Sequence, residues 1–220
     1  MYYSNPNRRL PIIRFILVLW LSALGNISLA VPSQKTTSST LLVLGDSLSA
    51  AYNISWESGW VNLLRQHFRQ TAKPITVINA SVGGATTQNG LQRLPKLLAE
   101  HKPDIVIIEL GANDGLQGKP VPYITQNLRQ LITLSKQSKA SVILVGNRLP
   151  PNLGKRYTEP FFNQYAHLAE SEKTLLLPFM LKDIAGNPEL MQADGLHPKV
   201  EAQPQIMQYM LPLIEQALRE

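Results

Sequence analysis

Cysteine is absent from the 220 residues, which excludes disulfides, thiolate nucleophiles, thiolate metal sites and a lipid-modified cysteine together. Histidine is sparse as well, with only His67, His101, His167 and His197. None of them forms a close His-x-x-x-His pair, so a catalytic zinc site is not expected. Charged residues make up 16% of the chain, and no dense basic run or aromatic-basic interleaving occurs among them. The net charge of +6 therefore gives no expectation of nucleic-acid binding. Three of the 21 basic residues, Arg8, Arg9 and Arg14, stand in an acid-free first segment, which leaves 18 basic against 15 acidic residues, or +3, for the remainder.

Long hydrophobic runs are also lacking. The run from Phe15 to Leu24 is roughly half of the ~20 residues needed to cross a bilayer, so no stable membrane span is expected in the mature chain. Preceded by arginines and followed by Ser28-Leu29-Ala30, it reads as a secretory signal peptide over residues 1–30, cleaved near Ala30. Residues 31–40 read as a polar, flexible stretch, and 41–220 as one domain, since the chain is too short for two ordinary ones.

What that domain does have is alternation. Leu41 to Leu44, Ile75 to Ile78, Ile105 to Leu110, Val142 to Val145 and Leu175 to Leu177 are short apolar runs suited to strands buried on both faces of a parallel sheet. Between them run helical stripes, such as Trp60, Leu63, Leu64 and Phe68, then Leu91, Leu94 and Leu98, then Ile124, Leu128, Leu131 and Leu134. Helices over Tyr157 to Ser171 and Ile206 to Leu218 complete the set, the latter expected to kink at Pro212. The pattern predicts an α/β fold, a three-layer α/β/α sandwich around a five-stranded parallel sheet.

Polar residues with chemical potential follow the strands. Ser47, in Gly45-Asp46-Ser47-Leu48, comes directly after the first strand, where open α/β sheets place ligands. Seen alone, Asp46 and Ser47 suit a helix cap equally well. Asp194-Gly195-Leu196-His197-Pro198 places a carboxylate and an imidazole on one short loop. His197 could there accept a serine proton while Asp194 fixes its tautomer, though an ordinary surface turn has the same composition. Gly84 follows the second strand and could present a bare backbone N–H, and Asn113 follows the third and could present an amide. Glycine and Asn-Asp turns account for those loops too.

Together and in order, Ser47, Gly84, Asn113 and the Asp194/His197 pair resemble the block order of the SGNH, or GDSL, hydrolase family. Leu42 to Ser49, Asn79 to Ser81, Glu109 to Leu116, Arg148 to Pro150 and Met191 to Pro198 further resemble its bacterial periplasmic branch of acyl-CoA thioesterases, lysophospholipases and arylesterases. The resemblance implies a flavodoxin-like SGNH fold, with Ser47 as nucleophile, His197 as base and then acid, and Asp194 as its orienting partner. It also implies an oxyanion hole of the Ser47 and Gly84 N–H groups with the Asn113 side chain, and no metal or organic cofactor. Ala51 and Ala85 stand where that branch usually has glycine and aspartate, which bears on loop shape and substrate preference.

The expected partner is a small acyl ester, acyl-CoA or lysophospholipid, bound by a monomer in the periplasm. Leu116, Pro150, Pro151 and Leu153 are candidates for an apolar acyl groove. Arg148, Lys155 and Arg156 are candidates for a phosphate-bearing leaving group, or are merely a solvated face. Two other readings fit the same residues: a carbohydrate O-acetyl esterase of this fold, and a non-catalytic periplasmic lipid-binding protein. A serine hydrolase using His197 should lose activity in acid, since free histidine titrates near about 6.5. Terminal sequencing of the secreted protein should begin at Val31; a start at Met1 would refute cleavage at Ala30.

Overall fold

The computed structural model describes residues 39–71 and 75–219; the leader expected over 1–30 and the adjoining residues 31–38 lie outside the described residues. Five strands form one parallel sheet, β1 (Ser39–Gly45), β2 (Ile75–Asn79), β3 (Ile105–Glu109), β4 (Ser141–Val145) and β5 (Leu175–Leu177), in the order β2-β1-β3-β4-β5. Six helices accompany them: α1 (Trp60–Arg69), α2 (Thr87–His101), α3 (Ala112–Leu116), α4 (Val121–Gln137), α5 (Lys155–Glu172) and α6 (Gln203–Ala217).

Alternation along the strands sends side chains into two separate cores. Leu41, Val43, Ile105 and Ile107 meet Trp60 and Leu64 of α1 and Ile206 and Met210 of α6 on one face. Leu42, Leu44, Val106 and Ile108 meet Leu94 of α2, Leu128 of α4 and Phe161 of α5 on the other. Apolar runs were expected because both faces are covered, and each fully buried Leu or Ile contributes roughly 1.5–3 kcal/mol through removal from water. The two helical layers are thus set by the two-residue period of the strands.

Three details differ from the sequence reading. β1 begins at Ser39, two residues before its apolar run, because pairing with β2 starts at Ser39 and the Thr40 N–H donates to the Asp104 carboxylate at 2.7 Å. The turn residues after β3 predict a loop, and α3 forms there instead. Asp114 is buried and accepts from the Thr87 N–H at 2.8 Å and the Thr87 hydroxyl at 2.7 Å, closing the start of α2 instead of making a surface turn. α6 begins three residues before its apolar stripe and includes Pro212. Its first residue, the buried Gln203, accepts from the Trp60 N–H at 3.0 Å and so satisfies a buried donor that has no partner within α1.

The carboxyl ends of β1 and β3 approach closely, with Gly45 paired to Glu109. A Cβ at Gly45 would stand 2.8 Å from Glu109 Oε2 and 2.9 Å from Ser49 Oγ, so no larger residue fits without displacement. That same oxygen accepts from the Asp46 N–H at 3.2 Å and the Ser49 hydroxyl at 2.9 Å. Burial pushes the Glu109 carboxyl well above the usual carboxylate range, and the Asp46 charge pushes it the same way. The folded state therefore holds this proton more tightly than an unfolded carboxyl, which titrates near about 4.3. Its stabilising contribution is full below that value and is lost as pH rises toward the folded-state value. Glu109→Gln keeps an accepting oxygen and cannot ionise. Its thermal midpoint should fall less steeply than wild type as pH rises above about 4.3, and parallel midpoint-pH curves for the two proteins would refute this.

Candidate active site

Ser47 leaves β1 in a tight turn. The Asp46 carboxylate accepts from the Leu48 N–H at 3.0 Å, and Ala50 N–H donates to the Asp46 carbonyl at 3.0 Å, so Asp46 closes a local turn and caps no helix, α1 being preceded by Gly59. It coexists with a second arrangement. Ser47 Oγ lies 2.9 Å from His197 Nε2, and His197 Nδ1 lies 2.7 Å from Asp194 Oδ2. Residues 150 positions apart in the chain thereby form one continuous hydrogen-bonded line.

The loop bearing Asp194 and His197 is itself braced. Asp194 Oδ1 accepts from the backbone N–H groups of Leu196 at 2.9 Å and His197 at 3.0 Å, and a short antiparallel bridge joins Met191 to Pro198. Desolvation pushes the Asp194 carboxyl up, but hydrogen bonds from the His197 side chain and the two N–H groups, with the His197 charge, outweigh it and hold it at about 2. Asp194 is thus a carboxylate acceptor across the neutral range. Its second oxygen can fix the proton of His197 on Nδ1, leaving Nε2 to accept from Ser47. The Tyr52 ring lies against the imidazole, with centroids 4.3 Å apart.

Gly84 and Asn113 border the same cavity as Ser47. Gly84 holds φ +74°, a left-handed conformation that explains glycine at this position. Asn113 comes from α3, and its amide Nδ2 donates to Asp46 Oδ2 at 3.1 Å and to the Ala85 carbonyl at 3.1 Å. Both amide hydrogens thus have protein acceptors, so donation to an oxyanion must be shared with, or exchanged from, one of them. Burial raises the Asp46 carboxyl to about 6, against the lowering effects of the Leu48 N–H, Glu109, the His197 charge and the Asn113 amide.

The two departures from the family pattern also take their places. Ala51 adopts φ +58°, a conformation natural to glycine and costing alanine about 1 kcal/mol. Ala85 is buried within the core beneath α2 and supplies the carbonyl that holds Asn113.

A cavity of about 870 Å³ opens from Ser47, large enough for a long acyl chain. Leu116, Arg148 and Pro150 all border it, as do Pro151 and Lys155, whereas Leu153 and Arg156 do not. Phe162, Phe179 and Leu181 add apolar wall that the residue pattern did not single out. The Arg148 guanidinium lies 3.8 Å from the Phe162 ring centroid and 5.5 Å from that of Phe179. Sequence reasoning also missed Glu109 and the bracing role of Asp46. An acidic residue ending an apolar strand beside a glycine-led turn was the available signal.

The chain is similar to known proteins over most of its length. The GDSL-like Lipase/Acylhydrolase family matches over residues 43–203. A Vibrio mimicus protein named arylesterase is 51% identical over 172 residues, covering 78% of this chain and 86% of the relative. An Escherichia coli protein named thioesterase 1/protease 1/lysophospholipase L1 is 44% identical over 171 residues, covering 78% of this chain and 81% of the relative. The crystal structure of a psychrotrophic esterase from Pseudoalteromonas sp., inhibited by monoethylphosphonate, superposes with a TM-score of 0.79 at 42% identity, covering 83% of this chain and 100% of that one. The chain therefore belongs to the GDSL-like lipase/acylhydrolase family and is a serine ester hydrolase.

Proposed function

We propose that this enzyme hydrolyses carboxylic esters and thioesters of acyl lipids through an acyl-Ser47 intermediate. The unbroken line Ser47–His197–Asp194, with separations of 2.9 and 2.7 Å, carries the reading. Ser47 Oγ attacks the acyl carbonyl as its proton passes to His197 Nε2. The oxyanion is held by the Ser47 and Gly84 N–H groups and by the Asn113 amide. Collapse expels the alcohol or thiol, which takes the proton from His197. Water then gives a proton to the same nitrogen as it attacks the acyl-serine, and collapse releases the carboxylic acid as His197 returns that proton to the departing Ser47 Oγ. Ionised Asp194 stabilises the imidazolium at both stages.

The cavity favours an acyl chain over a sugar because Leu116, Leu149, Phe162, Phe179 and Leu181 supply hydrocarbon wall, with Arg148 at hand for an anionic leaving group. The names of the relatives, arylesterase and thioesterase/lysophospholipase, support the same range. We further propose that the enzyme is exported to the periplasm and acts as a monomer, since one chain supplies every proposed catalytic group. Among the described residues no helix is long and apolar enough to cross a membrane.

Ser47→Ala should abolish fluorophosphonate labelling and lower kcat at least about 10⁴-fold, while Asn113→Ala should retain labelling and lose about 10²–10³ in kcat. Persistent labelling of Ser47→Ala would refute the nucleophile. Across p-nitrophenyl esters of increasing chain length, acyl-CoA, lysophospholipid and acetylated sugars, medium-chain acyl substrates should give the highest kcat/KM. Preference for acetylated sugars would refute the acyl-lipid assignment, and no turnover of any ester would point to a binding protein.

A further inference from the structure

Exposed apolar side chains on a folded domain are usually scattered, and single ones need no explanation. Here they are not scattered. Tyr52 and Trp56 follow β1, Val82 follows β2, Leu116 follows β3, Leu153 follows β4 and Leu196 follows β5, all on connections leaving the carboxyl edge of the sheet. The other two exposed large hydrophobic residues among those described, Tyr123 and Val200, stand in the first turn of α4 and just before α6, helices that start from that edge. None of the eight lies at the opposite edge, and Tyr123, the one within a long helix, is in its first turn. Trp56 is 61% exposed, a large apolar area left in water for no purpose within the domain.

We propose that the carboxyl-edge face docks on a lipid surface bearing anionic headgroups. Two observations select that occupant. The acyl cavity opens within this face, bordered by Tyr52, Leu116 and Leu196, so a chain leaving a lipid layer reaches Ser47 without crossing water. The loops after β3 and β4 and the first two turns of α4 and α5 carry exposed Lys119, Arg148, Lys155 and Arg156 against the single exposed acid Glu159. The stretches from β5 to α6 and from β1 to α1 carry exposed Asp183, Glu189, Asp194, Glu201 and Glu57 against one exposed base, Lys182. The basic side therefore meets the headgroups while the apolar rim enters the boundary, the division seen in interfacial binding. The cavity's use as an acyl site rests on the hydrolase reading; the docking face does not.

Trp56 is a built-in probe, because Trp60 is buried and Trp20 can be removed by Trp20→Phe in the full chain. On adding vesicles of phosphatidylglycerol and phosphatidylcholine, Trp56 emission should shift to the blue, more weakly with phosphatidylcholine alone. Leu153→Ser with Val200→Ser, and separately Lys119→Glu with Arg156→Glu, should each weaken the mixed-vesicle affinity roughly tenfold. Turnover of monomeric p-nitrophenyl butyrate should be unchanged in both. No blue shift, or affinity equal to the parent in both variants, would overturn the proposal. Vesicle-free dimerisation that the Leu153/Val200 variant abolishes would also overturn it, assigning the face to a second copy. Vesicle docking without butyrate turnover in the parent would instead refute the hydrolase reading and leave the docking face standing.

Discussion

Glu109 lies at the end of β3 with its carboxyl sealed between that strand and β1, where one oxygen receives both the Asp46 N–H and the Ser49 hydroxyl. The strand register places it opposite Gly45, and the missing side chain at Gly45 is what admits it. This contact decides how the chain turns as it leaves β1. The turn in turn sets the direction of Ser47 toward His197 and of Asp46 toward Asn113. A carboxyl in apolar surroundings is costly unless protonated or well bonded, so the corner is rigid for the same reason that it is expensive. The price appears as raised proton affinities at Glu109 and Asp46.

Much of the architecture could be read from the residues because it rests on local periodicity. Continuous apolar runs at Leu41 to Leu44 and Ile105 to Ile108, short and rich in Val, Ile and Leu, suit a sheet covered on both faces, and all eight residues are buried. The stripes of α1, α2 and α4 likewise follow from spacing, and Trp60, Leu94 and Leu128 are buried as that spacing requires. The order of Ser47, Gly84, Asn113, Asp194 and His197 was legible because each follows a strand whose carboxyl end points to one edge. Less legible was anything set by contacts between distant segments. Asp114 looks like a turn residue, and only the approach of α2 makes it a cap for Thr87. Glu109 looks like the polar end of a strand, and only the β1–β3 register reveals its partners. Phe162 and Phe179 belong to different connections, so their common use of Arg148 has no short-range signature.

The arrangement around Asn113 shows how support and proposed chemistry compete for the same atoms. Its amide is oriented by Asp46 and by the Ala85 carbonyl, which removes the entropy of a free side chain before substrate arrives. The same bonds occupy both donor hydrogens. An oxyanion can take a share because it is a stronger acceptor than a neutral carbonyl, whereas a ground-state ester oxygen is a poor rival for either bond. Such an exchange favours the transition state over the bound ester, which is the condition for raising kcat rather than merely tightening binding. Ala85 contributes through its backbone, so the absence of a carboxylate at that position leaves this competition intact.

A parallel sheet also explains why reactivity and apolar exposure share one edge. Every crossover helix in such a sheet starts near the carboxyl ends of the strands, and every connection that can vary without disturbing the cores lies there. The opposite edge is constrained by entries into strands, and the outer helix faces by solvation. Side chains kept for binding therefore accumulate where loops are free, and the eight exposed hydrophobic residues follow that rule. Tyr52 joins the two roles in one residue: its ring packs on the His197 imidazole at 4.3 Å while half of its surface, 51%, remains exposed at the mouth. A layer that covered Tyr52 would also lower the local dielectric beside His197, strengthening its attraction to ionised Asp194. The residue that faces outward at the mouth is thus the one that packs on the imidazole of the proposed catalytic line.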